Sequence, residues 1–240
     1  SAKLRQDLCN YAVKIAHSVH YNNVGTIEFL VDAEENAYFI EVNPRVQVEH
    51  TVTEMVTGID IVKSQIFIAG GYRLSDEQIK IYSQESITLE GFAIQCRITT
   101  EDPKNDFKPD YGTIMTFRTG AGFGIRLDEG SVYQGMRISP FFDSLLVKVS
   151  AQGRTLDGAI RKMSRALNEF RVRGVKVNIP FLINIINHPV FRDGKATVNF
   201  ITAFPELMRF KPQHDRATKL VRFLGEVSVN GNADVKFIDK

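Results

Sequence analysis

Residues 39–50 read Phe-Ile-Glu-Val-Asn-Pro-Arg-Val-Gln-Val-Glu-His. Every second position carries a polar side chain, and the kinds differ: Glu41, Asn43, Arg45, Gln47 and Glu49. Alternate side chains of an extended chain lie on one face, so we expect these groups to line a single surface. The positions between them are mainly apolar, which favours a functional surface on one side and packing on the other. A plain solvated strand face is the alternative interpretation.

A predicted hairpin brings a further carboxylate to this surface. Residues 24–32 and 37–42 are rich in strand-forming side chains and are separated by a polar turn, which predicts two antiparallel strands. Pro44 ends the second strand because proline has no N–H to donate to the ladder. Glu28 lies on the first strand and is expected to point the same way as Glu41.

The residue types in this surface suit a metal and a small anion. Three side chains offer the oxygen ligands that Mg²⁺ prefers, namely Glu28, Glu41 and Asn43. Mg²⁺ is commonly shared between one or two carboxylates and substrate phosphates. Arg45 adds a planar fork of donors for a planar anion, and Gln47 adds an amide. Glu49 is a further carboxylate that is available as a proton acceptor.

The rest of the sequence predicts an α+β chain. Helical periodicity predicts helices at 4–19, 59–69, 156–170 and 180–187, and shorter runs predict strands at 92–98, 113–117, 124–127 and 144–151. Thr155 is the expected N-cap of the third helix. Residues 211–219 are polar and predict a linker, after which Val227 and Val229 indicate the start of another unit.

Composition and charge narrow the classes of partner. The chain is 43% hydrophobic and 24% charged, with a net charge of +2, so it is globular, and nothing demands nucleic acid or an anionic membrane as a partner. The longest apolar run, 59–71, is interrupted by polar residues and is not expected to span a bilayer.

Cys9 and Cys96 are interpreted as buried, reduced thiols of an intracellular protein. Both chain ends are interpreted as cuts through a longer protein.

Three stretches together resemble the signature of biotin carboxylases, within the ATP-grasp superfamily: 27–30 (Ile-Glu-Phe-Leu), 39–50 and 53–60 (Thr-Glu-Met-Val-Thr-Gly-Ile-Asp). The specific part is 45–50, because other ATP-grasp enzymes share the metal-binding carboxylates but as a rule lack this tail. The resemblance implies that 1–84 form the C-terminal part of an ATP-grasp domain. It further implies a mixed, largely antiparallel biotin carboxylase C-terminal domain at 85–210, and a linker with the start of the next domain at 211–240.

The resemblance also implies a role for each residue of the surface. The implied ligands of the Mg²⁺ or Mn²⁺ that bridges ATP phosphates are Glu28, Glu41 and Asn43. The implied bicarbonate contacts are Arg45, Gln47 and the backbone of Val48. Glu49 would be the general base that deprotonates bicarbonate for attack on the γ-phosphate of ATP, giving carboxyphosphate and ADP. Leu30 and Ile40 would contact adenine, with plain core packing as the alternative.

A second motif, 95–103 (Gln-Cys-Arg-Ile-Thr-Thr-Glu-Asp-Pro), resembles the family's Cys-Arg-Ile-x-x-Glu-Asp-Pro pattern. Carboxyphosphate would break down to CO₂ and phosphate, and the phosphate would take the N1 proton of a biotin carried on another domain. Arg97 would then stabilise the biotin enolate by placing positive charge where negative charge develops. An ion pair with Glu101 or Asp102 is the alternative. Cys96 is interpreted as a packing residue, since no activating partner is evident.

Two loops resemble family stretches at a homodimer contact, which implies a homo-oligomer and the contact residues Phe123, Arg126 and Asp143. Loop packing within the domain is the alternative for them.

Three further stretches, 41–45, 99–107 and 171–182, resemble the branch of the family found in pyruvate carboxylases. The implied activity is carboxylation of biotin as the first step from pyruvate to oxaloacetate, in the cytoplasm or, in a eukaryote, in the mitochondrial matrix. The family's ATP-binding lysines and glycine-rich lid would precede Ser1, so this piece alone is expected not to turn over ATP. The alternatives are the biotin carboxylase of an acyl-CoA carboxylase, another ATP-grasp ligase such as a carbamoyl phosphate synthase, and a non-catalytic dimerisation piece.

Overall fold

The first third of the chain forms a helix, a hairpin and two more helices. In the computed structural model, which describes residues 1–210 and 216–231, these are α1 (Ala2–Ser18), β1 (Thr26–Val31), β2 (Ala37–Asn43), α2 (His50–Thr57) and α3 (Ile61–Ala69). The Ser1 hydroxyl caps α1 by accepting a hydrogen bond from the Leu4 N–H. In the hairpin turn, the Asp32 carboxylate accepts bonds from the N–H groups of Glu34 and Asn36, which fixes the turn.

The predicted hairpin is confirmed, and its register sets up the metal-ligand candidates. Glu28 lies directly opposite Glu41, and the next pair is Phe29 with Phe39. Ile40 is therefore an extra residue in a β-bulge, which strengthens the local twist beside the paired carboxylates.

The polar stretch is not one continuous strand. β2 ends at Asn43, just before Pro44, and the chain enters α2 at His50 with Glu49 in the N-cap position. The expectation that residues 45–49 continue as extended chain is wrong, and α2 was not predicted.

The second half of the chain holds most of the strands. Its elements are β3 (Phe92–Thr99), β4 (Glu101–Asp102), β5 (Lys108–Pro109), β6 (Thr116–Arg118), β7 (Ile125–Glu129), β8 (Leu145–Gly153), α4 (Leu156–Glu169), β9 (Arg171–Arg173), α5 (Ile179–Asn187), α6 (Pro189–Arg192), α7 (Phe200–Ala203) and α8 (Arg216–Asn230). The strands pair antiparallel in the orders β3-β8-β7, β4-β5 and β6-β9. This confirms the predicted α+β class with largely antiparallel pairing.

The main core lies between α4 and one face of the three-stranded sheet. Its fully buried side chains include Ile98, Val147, Val149, Met163 and Leu167. The predicted helix cap is confirmed, because the Thr155 hydroxyl accepts a bond from the Gly158 N–H. Since successive strand residues alternate, the opposite face of the sheet is left for α2, which packs against β3 and β8.

Several predicted boundaries differ from the structure. The strand expected at 113–117 begins at Thr116, because Thr113 forms only an isolated bridge with Arg137. Strands of two or three residues, β4, β5 and β9, were not predicted, since such lengths give no periodicity. The helix α8 runs through part of the predicted linker and through Val227 and Val229, where a new unit was expected to start. Residues 211–215 and 232–240 lie outside the described residues, and the domain limits stay predictions.

The two cysteines lie in different environments. Cys96 is buried in the core, as predicted, but Cys9 is exposed on α1, so the expectation of two buried thiols is wrong for Cys9. Among the helices within 1–210 and 216–231, none combines the length and the apolar character that crossing a bilayer requires.

Candidate active site

The two carboxylates of the hairpin share one amide group. The Asn43 Nδ2 donates to Glu28 Oε1 over 3.1 Å and to Glu41 Oε1 over 2.8 Å. Like charges directly opposite on a hairpin destabilise it, so this pair requires a donor or a cation between its members. Two carboxylates and one amide form a donor set that suits Mg²⁺ when phosphate oxygens and water complete the shell. Within the described residues, no cluster of three or more His, Cys, Asp or Glu side chains has metal-binding geometry.

Gln47 and Arg45 extend this polar cluster. The Gln47 Nε2 donates to Glu28 Oε1 over 2.8 Å, which ties the turn after β2 back to β1. The Arg45 guanidinium makes only long contacts, 3.4 Å to Asn43 Oδ1 and 3.3 Å to the Val46 carbonyl. None of the ion pairs found within 4.0 Å in the described part of the chain involves Arg45, so its fork of donors has no carboxylate partner there.

Glu49 forms an ion pair with Arg97 of the second motif. Arg97 Nη2 donates to Glu49 Oε2 over 2.7 Å, and the two side chains are 48% and 50% exposed. The alternative partners considered for Arg97 are wrong: Glu101 accepts bonds from Thr99 and Ser144, and Asp102 accepts one from Lys176. The structure therefore brings the first and second motifs together at one ion pair.

Leu30 and Ile40 lie on the hairpin at the surface, with exposed fractions of 46% and 53%. Plain core packing, the alternative interpretation for both, is wrong in this chain. Their proposed contact with adenine stays a prediction.

The three residues assigned to a dimer contact do not form one cluster. Arg126 donates to Glu54 over 2.5 Å and to Asp128 over 2.8 and 2.9 Å, so its guanidinium is bound within its own chain. The hydrogen bonds that Arg126 donates to Asp128 and then to Glu54 raise the pKa of Arg126. Phe123 is 94% exposed, with the Lys162 Nζ 4.9 Å from its ring centroid. Asp143 is exposed in another loop, and the dimer contact stays a prediction.

Three residues near the site were given no role: Gln95, although it is part of the second motif, and Thr51 and Ser150, which lie outside the quoted motifs. The Gln95 side chain donates to the Val48 carbonyl and to the Thr51 hydroxyl. Thr51 is fully buried and contacts the hydroxyl of Ser150, which is also fully buried. Gln95 alternates with Arg97 on β3, and that spacing was the available signal that both face the polar stretch.

Cys96 and His50 have structural contacts. Burial raises the pKa of the Cys96 thiol to about 12, which agrees with a packing residue and not a nucleophile. The His50 Nδ1 lies 2.6 Å from the Gln47 carbonyl oxygen, so the imidazole supports the turn that carries Glu49.

Comparisons with known proteins agree with both halves of the chain. The model of the biotin carboxylase C-terminal domain matches residues 95–203, and that of the carbamoyl-phosphate synthase L chain, ATP binding domain, matches residues 1–77. The pyruvate carboxylase of Staphylococcus aureus is 53% identical over 236 residues, which cover 98% of this chain and 20% of that protein. The chain thus spans about a fifth of the length of this relative.

Solved structures give the same result. A complete multifunctional pyruvate carboxylase from Rhizobium etli matches with a TM-score of 0.86 and 51% identity, covering 100% of this chain and 22% of that one. The biotin carboxylase domain of the 2-oxoglutarate carboxylase of Hydrogenobacter thermophilus, in complex with MgADP, ADP and bicarbonate, matches with a TM-score of 0.82 and 42% identity, covering 88% of this chain and 45% of that one. The chain belongs to the biotin carboxylase family and corresponds to a segment of the biotin carboxylase part of pyruvate carboxylases.

Proposed function

We propose that this chain carries part of the active site for ATP- and bicarbonate-dependent carboxylation of biotin, the first half-reaction of a pyruvate carboxylase. The observation that carries the proposal is the convergence of two motifs. Glu28, Glu41 and Asn43 form one hydrogen-bonded cluster, and the turn that follows carries Glu49 onto Arg97. A solvated strand face would not require paired carboxylates or an ion pair across 48 positions of sequence.

The metal role falls to the hairpin. Glu28, Glu41 and the Asn43 amide would hold Mg²⁺ or Mn²⁺, and the ion would neutralise charge on the ATP phosphates during phosphoryl transfer. Leu30 and Ile40 would offer apolar surface to the adenine ring.

The bicarbonate role falls to the turn between β2 and α2. Arg45 is free of carboxylate partners within the described residues, and its planar fork matches a planar anion. Gln47 and the Val48 backbone would complete the contact. The positive end of α2 begins next to this turn, and it would favour a negative charge there.

Glu49 would act as the general base, and Arg97 would stabilise negative charge. Glu49 would accept the proton of bicarbonate, whose oxygen then attacks the γ-phosphate of ATP to give carboxyphosphate and ADP. Carboxyphosphate would break down to CO₂ and phosphate, and the phosphate would take the N1 proton of biotin. Arg97 would stabilise the resulting enolate until its N1 attacks the CO₂ to give carboxybiotin. Their ion pair must open in both steps, and because both side chains are about half exposed, opening it does not bury an unpaired charge.

The partners would be the domain that carries biotin and a second copy of the protein. Two separate loops expose aromatic rings of the kind typical of such contacts, Phe123 in one and Phe141 and Phe142, beside Asp143, in the other. The carboxyl acceptor, pyruvate in this proposal, would bind outside this chain.

The metal role is testable on the chain itself. We expect Mn²⁺, followed by electron paramagnetic resonance in the presence of ADP, to bind roughly tenfold or more weakly to Glu41→Gln than to the parent, because one of the two carboxylates is lost. Glu34→Gln is the matched control, since Glu34 is an exposed carboxylate of the same hairpin. Equal Mn²⁺ affinity in the parent and Glu41→Gln would refute the metal role.

A further inference from the structure

One row of side chains across the central sheet holds the start of α2. Gln95, Ser150 and Arg126 are direct partners on β3, β8 and β7. Gln95 Nε2 lies 2.5 Å from Thr51 Oγ1, and Ser150 Oγ lies 2.8 Å from the same atom. Arg126 Nη1 reaches Glu54, one turn further along α2. The first turn of α2 therefore has a fixed position on the sheet.

Gln95 makes a second bond that the other two members of the row do not make. Its Nε2 also donates to the Val48 carbonyl over 2.9 Å, so its two acceptors lie on either side of Glu49 in the sequence. Two residues further along β3, Arg97 binds the Glu49 carboxylate itself. Glu49 occupies the N-cap position of α2, but its side chain makes no capping bond. The Glu49 backbone carbonyl accepts a bond from the Val52 N–H, but its carboxylate is bound by Arg97 of β3 and not by the helix N-terminus.

Gln152 also ties α2 to the sheet, so comparing it with Gln95 separates helix docking from the placement of Glu49. Gln152 Nε2 donates to the Met55 carbonyl over 2.7 Å and to the Glu90 carbonyl over 3.2 Å. It thus ties the same helix to the same sheet through the same kind of bond, but far from Glu49. A role in helix docking alone would make Gln95 and Gln152 equivalent.

We propose that Gln95 is a positioning residue for Glu49, acting with Thr51 as its buried partner. The proposal rests on the function proposed above, in which Glu49 accepts the proton of bicarbonate. Gln95 binds the backbone carbonyl of Val48 on one side of Glu49 and the side-chain hydroxyl of Thr51 on the other, and this would keep the Glu49 carboxylate at the bicarbonate contact and within reach of Arg97. Thr51 and Ser150 are fully buried, so the hydroxyl chain behind Gln95 does not exchange with bulk water.

The kinetic test uses the full-length enzyme that contains this chain. We expect Gln95→Leu to lower kcat/KM for bicarbonate in ATP cleavage by roughly ten- to a hundredfold, because a small displacement of a reacting group has effects of this size. KM for MgATP should stay within about twofold of the parent, since the hairpin ligands are untouched. Gln152→Leu should leave both constants unchanged. Equal losses in the two leucine variants, or no loss in Gln95→Leu, would overturn the proposal.

A second pair of variants covers the case in which Gln95→Leu does not fold. Thr51→Val keeps the shape but removes the hydroxyl that receives the Gln95 bond, so it should reduce kcat/KM for bicarbonate. Thr51→Ser keeps that hydroxyl and should keep the parent value of kcat/KM for bicarbonate. Equal values of kcat/KM in Thr51→Ser and Thr51→Val would contradict the positioning role.

Hydrogen exchange separates this inference from the proposed function. If the parent enzyme cleaves ATP without dependence on bicarbonate, the proposed function fails. The backbone amides of residues 48–51 then decide the positioning claim: they should exchange faster in Gln95→Leu than in Gln152→Leu. Equal exchange in the two variants would overturn it whatever the substrate.

Discussion

At the scale of single residues, Asp102 shows how one surface lysine stabilises a buried carboxylate. Asp102 is 7% exposed, and Lys176 Nζ lies 2.5 Å from its Oδ2. The hydrogen bond from Lys176 is the largest cause that lowers the pKa of Asp102 below its ordinary 3.8, and the same contact raises the pKa of Lys176. Because the folded state holds the carboxylate more strongly than the unfolded chain does, the pair stabilises the fold above pH 3.8. This contribution is lost as the pH falls through the lowered value.

The variant Asp102→Asn tests this ion pair. It keeps a side-chain acceptor for the Lys104 N–H but removes the charge that faces Lys176. We expect the parent to be more stable than the variant at about pH 7, and the difference to shrink at about pH 3, as measured by chemical unfolding. Asp193→Asn, in an exposed ion pair with Lys195, should change little at either pH. A difference for Asp102→Asn that does not depend on pH would contradict the linkage.

At the scale of elements, α2 decides the geometry of the site, although its eight residues were not predicted to be a helix. The end of β2 before Pro44 was predicted, because proline cannot extend the ladder, but the alternation of polar residues up to Glu49 favoured an extended chain where the chain turns instead. The hairpin, α3 and α4 were predictable because each has its own local pattern and end signals. For α2 the local pattern is weak, and its docking comes from Thr51 and Glu54, which contact the sheet.

Gly174 is an element-scale constraint at the end of β9. Its φ is +97°, and a Cβ at this position would overlap the Thr113 carbonyl oxygen. We expect Gly174→Ala to destabilise the fold by about 3 kcal/mol or more, the sum of a left-handed backbone cost and overpacking. Gly135 has a φ of +93° and open space around it, so Gly135→Ala should cost only about 1–2 kcal/mol. Chemical unfolding measures both, and equal losses would show that the contact with Thr113 is unimportant.

At the scale of the whole molecule, the site lies where two parts of the chain meet. The hairpin supplies the metal candidates, and the sheet supplies Arg97 and Gln95. The sheet is joined to the segment that follows the hairpin, Glu49 and α2, by the contacts of Arg97 with Glu49, Ser150 with Thr51 and Arg126 with Glu54. A dimer role for Arg126 was predicted. Its guanidinium donates its hydrogen bonds to Glu54 and Asp128 of the same chain, which leaves fewer donors for contacts with a second copy.

Removing the Arg126 contact should weaken this junction. Arg126→Met leaves the buried Glu54 carboxylate without one of its partners, so we expect a loss of about 1–3 kcal/mol in the free energy of unfolding. Arg161→Met is the control, since Arg161 forms an exposed ion pair with Asp157 on α4, and it should cost under about 0.5 kcal/mol. The same loss in both variants, by chemical unfolding at about pH 7, would show that the junction contact contributes no more than a surface pair.

The hairpin, the paired carboxylates Glu28 and Glu41, the capped helix α4 and the family could all be predicted from the sequence, because period, turn chemistry and motif spacing are local properties. The long-range contacts could not: Arg97 with Glu49, Gln95 and Ser150 with Thr51, and Arg126 with Glu54 are known only from the folded structure. These four contacts join residues 48, 44, 99 and 72 positions apart, and no local pattern records which distant side chains the packing of α2 on the sheet will bring together.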